Sequence, residues 1–149
     1  MIDVTADLTV RKSVSVARSV EDAFSLFTQA MATWWPLARY SVNEERTETV
    51  TVEGRVGGRV YERAADGSEA EWARVTAWEP PHRLGLSWYP GQDASAATDV
   101  EVRFTADGDG TRVDLEHSGW ERLGENARAA SDGYRGGWDE VLARYVEAA

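Results

Sequence analysis

The sequence predicts an α+β fold in which a curved antiparallel sheet wraps around one long C-terminal helix. From Glu125 to the C-terminus, apolar residues recur every three or four positions, which is the period of an amphipathic helix. Six short runs with alternating apolar and polar residues come before it, separated by turn residues. A helix of about 24 residues is roughly 36 Å long, so it needs a broad concave partner, and a curved sheet provides one.

The first elements are a strand and two short helices. Residues 8–18 alternate between apolar and polar side chains, which predicts a half-buried strand. Ser19 then precedes two acidic residues and an apolar run, the pattern of an N-cap followed by a helix of about nine residues. Residues 29–35 favour a second short helix, which ends before Pro36 because proline disfavours helical backbone in the residue before it.

Six strands are predicted next, each bounded by glycine, proline or aspartate turn residues. Their ranges are 49–53, 59–63, 71–78, 83–89, 99–105 and 111–117. Alternation places one set of side chains of the last three strands on the face that meets the helix: Leu84, Leu86, Trp88, Val100, Val102, Phe104, Val113, Leu115 and His117. Residues 72–78 are apolar at both parities, so the pattern does not assign a face to that strand.

The long helix carries its apolar side at Ala127, Ala130, Tyr134, Trp138, Val141 and Tyr145. Three glycines, Gly133, Gly136 and Gly137, lie in its middle, and each costs roughly 0.5 to 1 kcal/mol relative to alanine. Two explanations are open. The helix packs closely or kinks at the glycines, or they leave room for a ligand beneath it.

Composition limits the function classes. The length of 149 residues suits one domain over residues 1–149. The absence of cysteine excludes a disulfide, a thiolate metal site and a cysteine nucleophile. The net charge of −10 opposes nucleic acid and anionic membranes, and no leader or membrane-spanning run is recognised, so a cytoplasmic protein is expected. The oligomeric state is not determined by the sequence.

The aromatic residues suggest a binding site for a hydrophobic or aromatic small molecule in a cavity of roughly 300 to 1,000 Å³ between sheet and helix. Pure core packing is the alternative for each of them. The residues expected at the ligand are Trp34, Trp35, Leu86, Trp88, Val102, Phe104, Leu115, His117, Tyr134 and Trp138.

No catalytic arrangement stands out, and neither a metal nor a cofactor is expected. His117 falls on the inward face of its strand, where a structural role competes with a functional one. His82 lies in a Pro-Pro turn, and Lys12 either extends its amine to solvent or anchors a polar group of a ligand. The sequence favours a non-enzymatic binder, and an enzyme would have only His117 and Tyr134 as candidate acids or bases.

Several motifs resemble the START-like helix-grip (SRPBCC) superfamily, in particular the branch of the activator of heat-shock protein 90 ATPase. They are residues 13–28, TWWP at 33–36, GGRVYE at 57–62, residues 75–84, and residues 111–124 with GGW at 136–138. The resemblance implies a β-α-α-β6-α helix-grip fold with a ligand cavity. It also keeps two alternatives open, a polyketide cyclase or aromatase and an interaction module of the chaperone-activator type.

The same motifs are similar to the self-sacrifice resistance proteins that protect against the enediyne calicheamicin. That resemblance implies a cavity for an enediyne or a polyketide, in antibiotic self-resistance or biosynthesis, and one backbone glycine that reacts with a diradical. The matching position is Gly108, although Asp109-Gly110 and Gly119-Trp120 depart from the pattern. An ordinary hairpin turn explains the same residues.

Overall fold

A computed structural model describes residues 7–149, so residues 1–6 of the predicted domain lie outside the described residues. Seven strands form one curved antiparallel sheet, a half-barrel, in the order β1-β7-β6-β5-β4-β3-β2. The strands are β1 (Val10–Val16), β2 (Thr47–Val52), β3 (Arg59–Ala64), β4 (Glu69–Glu79), β5 (Arg83–Trp88), β6 (Thr98–Asp107) and β7 (Gly110–Ser118). The helices are α1 (Val20–Thr28) and α2 (Ala127–Ala148). The predicted helix-grip fold is therefore confirmed.

The N-terminal helix begins as its sequence predicts. Ser19 is the N-cap, and its hydroxyl accepts a hydrogen bond from the backbone N–H of Asp22. The second predicted helix is shorter than expected, a single 3₁₀ turn over Met31–Thr33. Pro36 follows within three residues, which leaves no room for an α-helical turn after it.

Strand β4 contains two β-bulges, and they explain why its face was not readable from sequence. Val60 pairs with Ala73 while Tyr61 pairs with Glu71, so Trp72 is an extra residue between them. The bulge lets the two consecutive side chains of Trp72 and Ala73 both point inward, where both are buried. A strict period of two does not describe such a strand.

The C-terminal helix starts two residues later than predicted. A 3₁₀ segment over Trp120–Asn126 precedes it, and Gly124 interrupts that segment with a φ of 62°, a left-handed value that favours glycine. The helix buries Ala127, Trp138, Val141 and Tyr145 from the predicted apolar side, while Ala130 and Tyr134 are half-buried.

The two helices divide the concave face of the sheet between them. Phe24 and Phe27 of α1 pack against Phe104 of β6, with ring centroids 5.1 and 5.7 Å apart. Tyr145, near the end of α2, packs against Phe27 at 5.2 Å and donates a hydrogen bond to the carbonyl of Ala23 at 2.8 Å. One end of the concave face is therefore filled by side chains. Within residues 7–149, no helix combines the length and the apolar character needed to cross a membrane.

Candidate functional site

The other end of the concave face holds a pocket of about 450 Å³ beneath the first half of α2, which we call the aromatic pocket. It lies between this part of the helix, the end of β5 and the loop at residues 40–42. Its lining residues are uncharged: Trp35, Tyr40, Ser41, Val42, Trp72, Trp88, Pro90, Gly91, Ala129, Ala130, Gly133, Tyr134, Gly137, Trp138 and Val141. The volume lies in the range expected for small-molecule sites.

Two of the three helix glycines, Gly133 and Gly137, line this pocket. A Cβ atom added at Gly133 would meet nothing within 4 Å, so this residue leaves the pocket open. A Cβ at Gly137 would lie 3.4 Å from the ring of Tyr40, which is close packing between helix and loop. The open space at Gly133 agrees with the second explanation, whereas none of the three glycines is packed so closely that a Cβ atom would clash. Gly136 also has open space around it but does not line the pocket.

Four tryptophans form a continuous aromatic wall. The ring centroid of Trp35 lies 5.1 Å from that of Trp72, 6.1 Å from Trp88 and 5.9 Å from Trp138. Trp88 in turn contacts Trp138 at 5.7 Å. Such tilted and edge-to-face pairs are favourable and hold one another in place. The wall is thus large, rigid and apolar.

Tyr134 contributes a polar group to the pocket. Its hydroxyl accepts a hydrogen bond from the indole N–H of Trp88 at 3.1 Å, which leaves its own proton for another acceptor. Burial raises the pKa of Tyr134 above its ordinary value, against a smaller lowering by the Trp88 hydrogen bond. The phenol is therefore protonated at neutral pH and can donate to a carbonyl or hydroxyl oxygen of a ligand.

A buried carboxylate, Glu62, holds two parts of the pocket in place. It accepts hydrogen bonds from the indole N–H of Trp72 at 2.6 Å and from the backbone N–H of Val42 at 2.6 Å. Burial by itself would raise the pKa of Glu62, but the hydrogen bonds from Val42, Trp72 and Asn43 outweigh it and keep the pKa below its ordinary value. Glu62 is therefore ionised, and it joins the loop to the aromatic wall.

His117 lies behind the aromatic wall. Its role is structural, which is one of the two alternatives that the sequence left open. It is fully buried, and each ring nitrogen has a partner inside the protein, Trp138 for Nδ1 and Thr98 for Nε2. Burial lowers its pKa to about 3, so the ring is neutral at neutral pH. It has no free nitrogen to offer a ligand.

The other singled-out residues lie away from the pocket. The amine of Lys12 forms an ion pair with Asp139 at 2.8 Å. His82 is exposed.

Gly108 is exposed in the two-residue turn between β6 and β7, with a φ of 60°. Thr98, at the other end of β6, pairs with Trp88 of the pocket, so at about 3.3 Å per residue Gly108 is on the order of 30 Å from it.

Four of the ten residues expected at the ligand line the aromatic pocket: Trp35, Trp88, Tyr134 and Trp138. The other six lie outside its wall: Trp34, Leu86, Val102, Phe104, Leu115 and His117. Trp34 packs against Phe27 at 5.2 Å and donates to the carbonyl of Leu26 at 2.8 Å. Phe104 lies at the filled end of the concave face, because Phe24 and Phe27 of α1 pack against it.

Sequence reasoning missed Glu62, Trp72 and the loop at residues 40–42. Glu62 had a readable signal, since it lies between Val60 and Ala64 at the inward parity of its strand, where an acidic residue is unusual. No sequence signal showed that the Trp72 side chain points inward, because a β-bulge determines which face of the sheet it occupies. The loop has no periodic pattern, and contacts with distant residues place it at the pocket, among them the hydrogen bond from Val42 to Glu62 and the packing of Tyr40 against Gly137.

Comparison with known proteins agrees with the helix-grip fold. The family model for Activator of Hsp90 ATPase homolog 1-like proteins matches residues 17–148. No curated protein sequence matches the chain significantly. Among solved structures, Txn09, described as an anthrahydroquino-γ-pyrone synthase, is 35% identical with a TM-score of 0.63, over 95% of this chain and 96% of that one.

Two further structures share the fold at lower identity. CalU16 from Micromonospora echinospora is 21% identical with a TM-score of 0.56, over 92% of this chain and 74% of that one. DynU16, described as a putative protein in the dynemicin biosynthetic locus, is 19% identical with a TM-score of 0.68, over 95% of this chain and 46% of that one. The chain, with its helix-grip fold and its pocket beneath the C-terminal helix, belongs to the Activator of Hsp90 ATPase homolog 1-like family.

Proposed function

We propose that this protein binds a planar, largely apolar aromatic molecule of the polyketide type in the aromatic pocket. The observation that carries the proposal is an uncharged pocket of about 450 Å³ walled by four tryptophans. Flat aromatic rings stack well on indole faces, and the protonated hydroxyl of Tyr134 suits a ligand carbonyl or phenol. The 35% identity to Txn09, whose name describes a polycyclic aromatic product, supports this ligand class.

The test is a binding titration with a blocked pocket as comparison. We expect 1,8-dihydroxyanthraquinone, a neutral planar molecule, to quench the tryptophan fluorescence saturably with one site per chain. Gly133→Leu places a side chain in the open space of the pocket and should weaken binding by about tenfold or more. Gly136→Leu is the matched control, because its side chain has equal room but lies outside the pocket.

Both variants should also stabilise the helix by roughly 0.5 to 1 kcal/mol, because glycine is a poor helix former. Loss of binding in Gly133→Leu therefore cannot come from unfolding. Quenching that does not saturate, or equal affinity in the two variants, would reject the proposed site.

A ring-closing enzyme is the second candidate function. Two observations favour it, the identity to a protein named as a synthase and the unused proton of Tyr134 inside the pocket. Supplying the protein with the substrate of Txn09 and following pyrone formation by mass spectrometry tests it. If Tyr134 is catalytic, Tyr134→Phe should lower kcat with little change in affinity. If no product forms in the native protein, binding is the only one of the two functions that remains.

An interaction module of the chaperone-activator type has less support. Among residues 7–149, the large apolar side chains that are exposed are Val42, Val56 and Val146, which lie in three separate segments. Single exposed apolar residues are normal on soluble proteins and do not form a docking patch.

A further inference from the structure

A buried negative charge lies directly behind the wall of the aromatic pocket. Glu62 is fully buried, and its Oε1 accepts hydrogen bonds from Trp72 and Val42, both of which line the pocket. One layer of residues therefore separates the carboxylate from the space available to a ligand. The aromatic wall between them is apolar and screens a charge poorly.

Among residues 7–149, no cationic side chain forms an ion pair with this carboxylate. Its Oε2 accepts hydrogen bonds from the backbone and side-chain N–H groups of Asn43 at 2.9 and 2.8 Å and from the hydroxyl of Thr47 at 3.0 Å. All these donors are uncharged, and Glu62 takes part in none of the ion pairs formed within residues 7–149. Neutral donors stabilise the ionised form, but they leave its net charge in place.

The pocket offers no opposite charge either. None of its lining residues is charged. At the rim, Arg39 and Glu140 form an ion pair at 3.0 Å, so their charges largely cancel. Exposed charges are also screened by salt far more than a buried one. The buried carboxylate is therefore an uncompensated charge next to the aromatic pocket.

We propose that Glu62 makes the aromatic pocket selective by charge, so that it takes neutral or cationic aromatic molecules and rejects anionic ones. This inference rests on the proposed binding function and adds the charge class of the ligand. A unit charge about 10 Å away at an effective dielectric constant of about 20 changes the affinity for a charged ligand by about tenfold. Carboxylated or sulfonated aromatic compounds would then bind poorly, whereas their neutral amides would bind well.

Two isosteric acridines test the proposal. Acridine-9-carboxamide is neutral and acridine-9-carboxylate is an anion at pH 8, so the ratio of their Kd values measures the effect of charge alone on the same ring system. In 0.5 M NaCl, which screens the exposed charges, we expect the carboxamide to bind the native protein about tenfold more tightly or better.

Any apolar pocket penalises an anion, so the decisive comparison is between variants. Glu62→Gln removes the charge and keeps the shape of the side chain, and it should lower the Kd ratio by about tenfold. Glu101→Gln is the matched control, a partly buried carboxylate paired with Arg83 and Arg103 and outside the aromatic pocket. It should leave the ratio unchanged. A purely structural role for Glu62 would weaken both acridines together and keep the ratio constant, which would overturn the proposal.

A second comparison needs only the native protein, so it can still overturn the proposal if Glu62→Gln does not fold. At pH 8, acridine is neutral and 9-aminoacridine is a cation. Selectivity by Glu62 predicts tighter binding of 9-aminoacridine in 0.5 M NaCl, although a cation costs more to desolvate. Tighter binding of neutral acridine would overturn the proposal. If the neutral acridines bind without any charge preference, only the charge inference fails, and if none binds, the proposed function fails with it.

Discussion

The indole Nε1 of Trp138 donates a hydrogen bond to Nδ1 of His117 at 3.0 Å, across the interface between α2 and β7. Tryptophan can only donate, so Nδ1 must be unprotonated and the proton of the neutral ring lies on Nε2. That nitrogen donates to the hydroxyl of Thr98 at 2.7 Å. Protonating His117 would break the bond to Trp138, which belongs to the wall of the aromatic pocket.

Folding stability should therefore fall as the pH drops below about 6.5. The pKa of His117 is about 3 in the folded protein and 6.5 in the unfolded chain, so the unfolded state takes up a proton that the folded state refuses. At about 1.4 kcal/mol per pH unit, urea denaturation at pH 5 should show a loss of about 2 kcal/mol relative to pH 7.5. The loss continues until the pH reaches about 3.

The chain has a second histidine, His82, which serves as the control for this pH dependence. His117→Gln should flatten the decline between pH 6.5 and 5, whereas His82→Gln, at an exposed position, should keep it. An unchanged decline in His117→Gln would show that another group causes it.

Glu62→Ala should destabilise the protein by at least about 3 kcal/mol, because it leaves several buried donors without an acceptor. Glu69 forms an exposed ion pair with Arg63, so Glu69→Ala should change the free energy of unfolding very little.

The stabilisation by Glu62 should also depend on pH. Because the folded pKa of Glu62 lies below its ordinary value of 4.5, its contribution to stability is present above pH 4.5 and is lost as the pH falls further. Urea titrations at pH 7 and pH 4 measure both effects, and equal losses of stability in the two variants would contradict the role of Glu62 in joining the loop to the aromatic wall.

Trp138→Ala should lower the free energy of unfolding by about 3 to 5 kcal/mol, as expected for a buried aromatic residue. Its side chain is buried among Trp35, Trp88 and His117. It should also abolish saturable binding of 1,8-dihydroxyanthraquinone, because it opens the wall of the pocket. Trp78→Ala removes an indole that packs on Phe24 instead, so binding should survive there. Near-native stability of Trp138→Ala would show that the residue lines the cavity without supporting the fold.

Self-sacrifice at Gly108 predicts cleavage of the chain at that residue by a thiol-activated enediyne. The turn is exposed, but it is on the order of 30 Å from the aromatic pocket, too far for a diradical held there to abstract its hydrogen. We therefore expect the chain to remain intact in mass spectra under conditions in which DNA is cut. Two fragments joined at residue 108 would instead establish the sacrificial role and imply a second site at this hairpin.

The sequence by itself determined the order of elements and the inward faces of β5, β6 and β7. Those features depend on local rules, namely the periods of helix and strand, the N-cap at Ser19 and the turn residues between strands. Its glycine pattern also pointed to open space under α2, which the structure shows at Gly133. Four of the residues expected at the ligand, Trp35, Trp88, Tyr134 and Trp138, line the aromatic pocket.

The tertiary structure alone decided which part of the concave face stays open. Every inward residue of the sheet looks equivalent in sequence, but α1 packs on Phe104, whereas Trp88 lines the aromatic pocket. The bulge at Trp72 and the loop held by Glu62 were also beyond local rules. Both depend on hydrogen bonds between residues that are far apart in the chain, and such bonds exist only once the sheet has folded around its helix.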